Sequence, residues 1–271
     1  MSLHDAVARH MDEVAIEYIM PRFRRLSSDE IEEKAPGDLV TEADKQAEAA
    51  LAPRLTGLLP GALVVGEEAV ANDPSLITRM GSDETLWVID PVDGTKNFVD
   101  GKPEFASMIA LIKAGETVGA WIWFPVGRIL ISAGKAEGAY RRHGANETRL
   151  SSGSSPALER MRGAISTGFM PEPWKGRVTR FGEKVGHLHS HFCAACEYRD
   201  IAGGEKDFAA FYRMLPWDHA PGALILAEAG GVVRSIETGK NYAPRTLEGP
   251  HVLAKDEAGW EAITAAIAEM A

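Results

Sequence analysis

The sequence has few cysteines, no long apolar run and an excess of acidic over basic residues. No apolar run reaches the roughly 18 residues that a membrane-spanning helix needs, so we expect no membrane span. The net charge of -10 argues against binding to the phosphate backbone of nucleic acid. The first five residues, Met1-Ser2-Leu3-His4-Asp5, lack the basic and apolar segments of a signal peptide, which predicts a cytoplasmic protein.

The only cysteines are Cys193 and Cys196, in the sequence Cys-Ala-Ala-Cys. Such a pair is typical of a redox motif or of half a zinc site, but the chain has no second pair. His187, His189 and His191 alternate just before it, as side chains on one face of a strand would. A zinc site here is one hypothesis, and two buried thiols at the start of a helix are the other.

The chain does have the composition of a globular protein, with 45% hydrophobic and 25% charged residues. Its 271 residues suffice for one large domain or two tightly joined ones. The Ser-Ser-Gly-Ser-Ser-Pro stretch at 151–156 is the best linker candidate. We therefore predict an N-terminal α+β half over 1–155 and a C-terminal α/β half over 156–271.

Apolar periodicity and turn residues predict the elements of both halves. Thr41 is expected to cap a helix that ends near Leu58, with Asp44 at the capping-box position. The other predicted helices cover 4–25, 174–186, 194–203, 218–229 and 256–270, and residues 70–84 form a helix or loop excursion. The predicted strands cover 62–65, 86–90, 106–113, 117–124, 128–133, 138–141, 162–166, 187–191, 207–211, 231–235 and 251–254. The strands between 86 and 141 follow one another closely, which predicts an antiparallel sheet. From 162 onward strands and helices alternate, which predicts a layered α/β second half.

The most informative stretch is the apolar strand that runs into Asp90-Pro91-Val92-Asp93-Gly94-Thr95. Pro91 has no N–H and is expected to end the strand, so that Asp93 returns toward Asp90. Gly94 permits the bend that follows. Taken alone, this segment is also a common turn sequence, just as Glu67-Glu68 alone would be a solvated turn and Asp218 a helix N-cap.

Taken together, Asp44, Glu67, Asp90, Asp93 and Asp218 are all expected at strand ends, turns or helix starts. Carboxylates brought together there repel one another unless cations are present. Oxygen ligands of this kind select Mg²⁺, Mn²⁺ or Ca²⁺ over zinc. The set therefore indicates metal-assisted phosphoryl transfer, in which metals about 4 Å apart hold the attacking and leaving oxygens.

In order and spacing, these motifs resemble the lithium-sensitive inositol monophosphatase superfamily of metal-dependent phosphatases. The resemblance spans nearly the whole chain and ends with Glu228-Ala229-Gly230-Gly231. Its motifs read here as Asp44, Gly66-Glu67-Glu68, Trp87-Val88-Ile89-Asp90-Pro91-Val92-Asp93-Gly94-Thr95 and Trp217-Asp218-His219-Ala220-Pro221-Gly222. It implies a layered αβαβα sandwich of the inositol monophosphatase and fructose-1,6-bisphosphatase type, commonly a homodimer.

The resemblance also implies a ligand set for two or three Mg²⁺ ions, which Mn²⁺ or Ca²⁺ would replace in binding. Glu67, Asp90 and the carbonyl of Val92 would hold the first ion. Asp90, Asp93 and Asp218 would hold the second, and Glu67 would also face a third, weaker one. Lithium inhibition follows from the same resemblance, because Li⁺ can replace the weaker Mg²⁺.

The implied reaction is direct hydrolysis by water that Mg²⁺ activates, without a phospho-enzyme. Asp44, Glu67 and Thr95 match the positions that orient or deprotonate this water. Gly94 and Thr95 would open a short helix that meets the phosphate, and Glu68 would support the ligands from behind.

The alcohol side departs from the family pattern, which puts inositol phosphate itself in doubt. Family members carry a small Gly-Ser/Thr-Ala stretch where this chain has Phe192-Cys193-Ala194, and a glutamate where it has Phe211. Loss of that acid weakens selection for a polyol, although both phenylalanines could instead be core residues. Lys96 could meet a second phosphate or be solvated. Three further basic residues fall in the region that faces the leaving group: Arg199, Arg213 and Lys206.

We thus expect a small phosphomonoester as the partner, inositol-1-phosphate-like in the first hypothesis. The alternatives are 3′-phosphoadenosine 5′-phosphate, with aromatic residues stacking the base, histidinol phosphate or a sugar bisphosphate. A regulator of the same fold that binds RNA polymerase or ribosomal machinery is a non-enzymatic alternative, and a lectin-like metal site is another.

Overall fold

The computed structural model describes residues 2–35 and 37–270. Their elements stack in five layers, in the order helix, sheet, helix, sheet, helix. The predicted αβαβα sandwich is therefore confirmed.

Helices and strands alternate irregularly along the chain. The helices are α1 (Leu3–Val14), α2 (Glu42–Leu58), α3 (Glu67–Asn72), α4 (Thr95–Val99), α5 (Trp174–Gly182), α6 (Ala194–Ala202), α7 (Pro216–Glu228) and α8 (Glu257–Ala268). The strands are β1 (Ile31–Ala35), β2 (Asp38–Thr41), β3 (Leu63–Gly66), β4 (Thr85–Asp93), β5 (Ala106–Lys113), β6 (Glu116–Phe124), β7 (Ile129–Gly134), β8 (Gly138–His143), β9 (Asn146–Arg149), β10 (Arg162–Ile165), β11 (His187–Leu188), β12 (Phe208–Arg213), β13 (Val232–Ser235) and β14 (Glu248–Ala254).

The first sheet has seven strands in chain order, β3 to β9, with β3 parallel to β4 and the rest antiparallel. Its central strands β4 and β5 are buried on both faces, so the side chains that point to either face are mostly apolar. Ile109 and Leu111 of β5 pack toward α1 and α2, whereas Met108 packs toward α6 and α7. This double burial explains why β5 is a continuous apolar run rather than an alternating one.

The second sheet has the order β11-β10-β12-β14-β13 and is mixed. β10 runs parallel to β11 and β12, and β14 runs antiparallel to β12 and β13. Helices α6 and α7 lie between the two sheets in one apolar cluster, and α5 and α8 cover the outer face. The middle helix layer is thus shared by both sheets, and α7 brings Asp218 to the first one.

Pro91 does not end its strand, and this prediction was wrong. β4 continues to Asp93, with a register shift against β5 between Asp90 and Asp93. The bulge tolerates Pro91 because an unpaired residue needs no N–H in the ladder. Ser107 Oγ donates to the Pro91 carbonyl at 2.7 Å, which fixes the bulge.

Several other boundaries also differ from the predictions. The single helix over 4–25 is instead α1, a π-helical turn at Ala15–Ile19 and irregular turns around Pro21. The strand over 187–191 shrinks to β11, and α5 ends at Gly182 rather than 186. Asp218 is not the N-cap of α7, because Leu215 takes that position and Asp218 lies in the first turn. The β1–β2 hairpin and β9 lacked a sequence signal.

The stretch 151–156 has no regular structure, yet it is fixed to the second half. Ser152 is buried, and its hydroxyl donates to the carbonyls of Ala229 and Lys255. The division into two halves at this point stays a prediction. Among the helices of the described residues, none combines the length and the apolar character that crossing a membrane requires.

Helices α6 and α7 pack so closely that one added methyl group between them is expected to destabilise the protein. A Cβ at Gly222 would lie 2.1 Å from Cδ2 of Tyr198. Tyr198 is buried and hydrogen-bonded to His219 at 3.0 Å, so its ring cannot yield. We expect Gly222→Ala to lower the free energy of unfolding by about 1–3 kcal/mol, measured by urea denaturation.

Gly57, in helix α2, is the matched control because a Cβ there meets nothing within 4 Å. We expect Gly57→Ala to leave the stability unchanged or raise it by up to about 1 kcal/mol, since alanine favours helix. Equal effects of the two substitutions would contradict this account of the packing.

Candidate metal centre

The centre of the site is the edge of the first sheet at which β3 and β4 both end. These strands are parallel and pair Gly66 with Ile89, so the residues that follow, Glu67 and Asp90, emerge side by side. Asp90 is buried, and Glu67 is partly exposed at the start of α3. Two acids far apart in sequence therefore face one point.

The bulge in β4 turns the next residues toward the same point. Asp90 Oδ1 accepts from the Val92 amide at 3.0 Å, and Thr95 Oγ1 donates to the Val92 carbonyl, also at 3.0 Å. Gly94 adopts a φ of 84°, a left-handed conformation that favours glycine, and caps α4. The bulge and the bend at Gly94 thus keep Val92 and Thr95 beside Asp90.

Asp44 performs the predicted capping role and reaches the site as well. Its Oδ2 accepts from the Thr41 amide at 2.9 Å and from the Thr41 hydroxyl at 2.5 Å. Its Oδ1 lies 3.4 Å from Thr95 Oγ1, which donates to it. The capping box of α2 therefore connects directly to the turn after β4.

Asp93 is bound by residues about one hundred positions later in the chain. Its carboxylate accepts from the Ala195 amide at 2.6 Å, from the Ala194 amide at 3.2 Å and from the Cys193 thiol at 2.9 Å. Both cysteines are free and buried at the start of α6, as the second hypothesis expected. Cys193 and Ala194, expected to meet the substrate, thus contact a predicted metal ligand instead.

Asp218 approaches from the middle helix layer. It is partly exposed in the first turn of α7, and its charge is one of those that raise the pKa of Asp90. The positive charge of Arg213 opposes the rise in the pKa of Asp218 that burial and the charges of Glu67 and Asp93 cause. The Arg213 guanidinium pairs with Asp38 at 3.6 Å and lies over the ring of Phe169, 4.6 Å from its centre.

The acids are in an environment that disfavours their charges. Burial raises the pKa of Asp44 to about 7, although hydrogen bonds from Thr41 oppose the shift. Burial, and then the charges of Glu67 and other acids, raise the pKa of Asp90 well above its ordinary value. The same causes raise the pKa of Asp218, and burial raises that of Asp93. Each carboxylate is destabilised by its neighbours in the absence of a cation.

Sequence reasoning missed Lys34 and Glu48. Lys34 in β1 pairs with Glu67 at 2.9 Å and with Glu68 at 2.8 Å. Burial alone would lower its pKa, but the two glutamates raise it, so Lys34 is held as a cation. Glu48 accepts from the amides of Glu68 and Ala69 at the start of α3, and burial raises its pKa to about 7. Neither residue has a sequence spacing that would have identified it.

The donor set fits a divalent cation in chemistry. It offers carboxylate and carbonyl oxygens only, and its raised pKa values show charges that a cation would stabilise. Within residues 2–35 and 37–270, however, no three acidic, histidine or cysteine side chains converge closely enough to enclose one ion. Glu67 is directed to Lys34, and Asp93 to the start of α6. The zinc hypothesis therefore finds no support in this part of the chain.

The candidate substrate residues separate into three environments. Phe192 is 79% exposed, whereas Phe211 is partly buried against the His219 ring, 5.0 Å between centres. Lys96 is exposed on α4, 3.9 Å from Asp100. Lys206 does not face a leaving group, because it is buried in an ion pair with Glu197.

Comparison with known proteins identifies the family of this chain. The sequence profile of the inositol monophosphatase family matches residues 3–271. Inositol-1-monophosphatase of Bacillus subtilis is 30% identical over 236 residues, 84% of this chain and 86% of that protein. Nus factor SuhB of Escherichia coli is 32% identical over 221 residues, 79% of this chain and 78% of its own.

Solved structures show the same fold. SaIMPase-II with bound inositol monophosphate has a TM-score of 0.80 at 22% identity, over 98% of this chain and 95% of that one. The same enzyme with bound 2′AMP has a TM-score of 0.77 at 22% identity, over 100% and 98%. By sequence profile and by relatives at 30% identity or more, this chain belongs to the inositol monophosphatase family.

Proposed function

We propose that this protein is a divalent-metal-dependent phosphomonoesterase that acts on a small phosphorylated alcohol. The observation that carries the proposal is the pairing of β3 with β4, which sets Glu67 beside Asp90 at one edge of the sheet, where the charges of Glu67, Asp93 and Asp218 all raise the pKa of Asp90. Such a group is unfavourable for stability alone and is suited to a metal. Phosphatase activity is also what its family supports.

Each acid has a proposed place in the loaded site. Glu67, Asp90 and the Val92 carbonyl would hold one Mg²⁺, and Asp90, Asp93 and Asp218 a second. When bound, the cations would activate water and stabilise the leaving oxygen. Glu67 must then exchange Lys34 for the metal, because Lys34 lies 2.9 Å from its carboxylate.

The chain's own residues would orient the attacking water. The single proton of Thr95 Oγ1 is donated either to the Val92 carbonyl at 3.0 Å or to Asp44 at 3.4 Å, so the oxygen's lone pairs remain available to accept from water. Asp44 has a pKa near 7, which suits a group that receives a proton at neutral pH. We assign Asp44, Thr95 and Glu67 to water activation, and Gly94 and Thr95 to the phosphate.

The alcohol is the open part of the proposal. The family resemblance implies an acid at the position of Phe211, and its loss would disfavour a polyol, while inositol monophosphate and 2′AMP are each bound in structures of the similar SaIMPase-II. Phosphate release is therefore to be measured on inositol-1-phosphate, histidinol phosphate, fructose-1,6-bisphosphate, 3′-phosphoadenosine 5′-phosphate and 2′-AMP, with Mg²⁺, EDTA or Li⁺. Hydrolysis that EDTA does not stop would overturn the metal dependence.

A regulatory role is the second candidate, because one relative is a Nus factor. Co-purification distinguishes this role from catalysis. The regulatory role is favoured if a catalytically dead variant still retains a large partner and the wild type hydrolyses none of the esters. A homodimer, a cytoplasmic location and lithium sensitivity stay predictions.

The first prediction for the site concerns Asp90. Asp90→Asn removes the carboxylate shared by both proposed metals, so we expect kcat to fall at least about 100-fold in saturating Mg²⁺. The melting temperature in EDTA should not fall, because the substitution removes a charge that burial and its neighbours disfavour.

Asp83→Asn is the matched control, since Asp83 is exposed seven positions earlier. It should retain wild-type kcat. An Asp90→Asn enzyme with the wild-type rate would show that the metal assignment is wrong.

The second prediction concerns pH. Folding raises the pKa of Asp44 and of Glu48 to about 7. In the metal-free protein their stabilising contribution is complete below their unfolded-chain pKa and is lost as the pH rises through about 7. A cation binds the ionised forms of its proposed ligands Asp90 and Asp218, whose pKa values are also raised, and its charge favours the ionised form of the nearby Asp44. We therefore expect the rise in melting temperature that Mg²⁺ produces over EDTA to be small at pH 5 and larger at pH 8.

Subtracting the melting temperature in EDTA from that in Mg²⁺ cancels the pH dependence that comes from groups outside the metal centre. One such group is His219, whose pKa burial lowers to about 3. Asp90→Asn should weaken the pH dependence. A Mg²⁺ effect that is the same at pH 5 and pH 8 would contradict the prediction.

A further inference from the structure

Phe192 combines two unfavourable features that a core residue avoids. Its φ is 54°, in the left-handed region where a side chain is strained. Its ring is 79% exposed, so it gains little from burial. The interpretation of Phe192 as a core residue is therefore wrong, and a use outside the core is indicated.

The turn at Phe192 is needed for the site, but the phenyl ring is not needed for the turn. On one side, Asn97 Nδ2 donates to the His191 carbonyl at 2.7 Å. On the other, Cys193 donates to Asp93 and packs so closely that a Cβ on Gly94 would lie 3.1 Å from its Cβ. Glycine would make this turn without strain.

The same contacts locate the backbone of Phe192. Phe192 lies between two residues that both touch the segment from Asp93 to Asn97, which carries the proposed phosphate residues Gly94 and Thr95. The exposed side chain therefore extends from backbone at the rim of the metal centre. It has no hydrogen-bonding group, so it cannot select hydroxyl groups, but its face is free for stacking.

We propose that Phe192 is the stacking surface for a planar nitrogen heterocycle in the alcohol part of the substrate. This inference rests on the proposed phosphatase function and narrows its substrate class. A nucleobase and an imidazole share the required flat ring, and the substrates below distinguish them. Phe211 is not part of the surface, because its ring already packs on His219.

The test compares substrates with and without a ring. The kcat/KM values for 2′-AMP and for histidinol phosphate are each divided by the value for inositol-1-phosphate, in Mg²⁺. We expect Phe192→Gly to lower one of these ratios by about tenfold or more, mainly through KM, since stacking of one base on an aromatic ring has effects of this order. Phe192→Tyr should preserve the ratio, and the winning substrate names the heterocycle.

Two controls exclude a structural effect. Phe192→Gly should not lower the melting temperature, because glycine relieves the strain at this φ. Leu188→Ala removes another exposed apolar side chain from the same segment, away from Gly94, and should leave both ratios unchanged.

Equal losses on all three substrates would overturn the proposal, because they would assign Phe192 to holding Asp93 through the loop. If the wild type hydrolyses none of them, binding of 2′-AMP and of histidinol phosphate is measured by calorimetry in Ca²⁺. Tighter binding to the wild type than to Phe192→Gly would support the stacking surface although the phosphatase function had failed. Equal binding would overturn it.

Discussion

The structure depends on a group of carboxylates that repel one another in a largely buried region, at the edge of the first sheet where β3 and β4 end. The charges of Glu67, Asp93 and Asp218 disfavour the ionised form of Asp90, and the surrounding elements provide a separate partner for each of the nearby acids. Asp44 is stabilised by the capping box of α2, Asp93 by amides at the start of α6, and Glu67 by Lys34. The carboxylates therefore stay together in a folded chain because each has a different local partner.

Predictions succeeded where residues close together in the sequence determine the local structure. The capping box needs only Thr41 and Asp44, three positions apart, and it forms as expected. The αβαβα sandwich was implied by the family resemblance, whereas apolar periodicity alone predicted an antiparallel first part and an α/β second part. The order of the acids placed them at strand ends and helix starts, and β3 and β4 bring two of them together. Their roles as ligands remain a proposal.

Predictions failed where residues distant in the sequence determine the conformation or the environment of a side chain. Pro91 ends a strand only if its missing N–H would be needed, and the bulge against β5 removes that need. Phe192 and Phe211 are the same residue type, and only tertiary packing makes one exposed and the other part of a cluster. Lys34 comes from a hairpin with no strong pattern, and its position over Glu67 depends on where that hairpin lies.

The bonds that residues 193–195 donate to Asp93 also bear on the order of folding. They span about one hundred residues and join the end of β4 to α6, across the predicted division of the chain. Contacts of such long sequence separation form late, because loop closure must come first. The first sheet can therefore acquire its strands before Asp93 is oriented. During refolding, secondary structure should return earlier than catalytic competence.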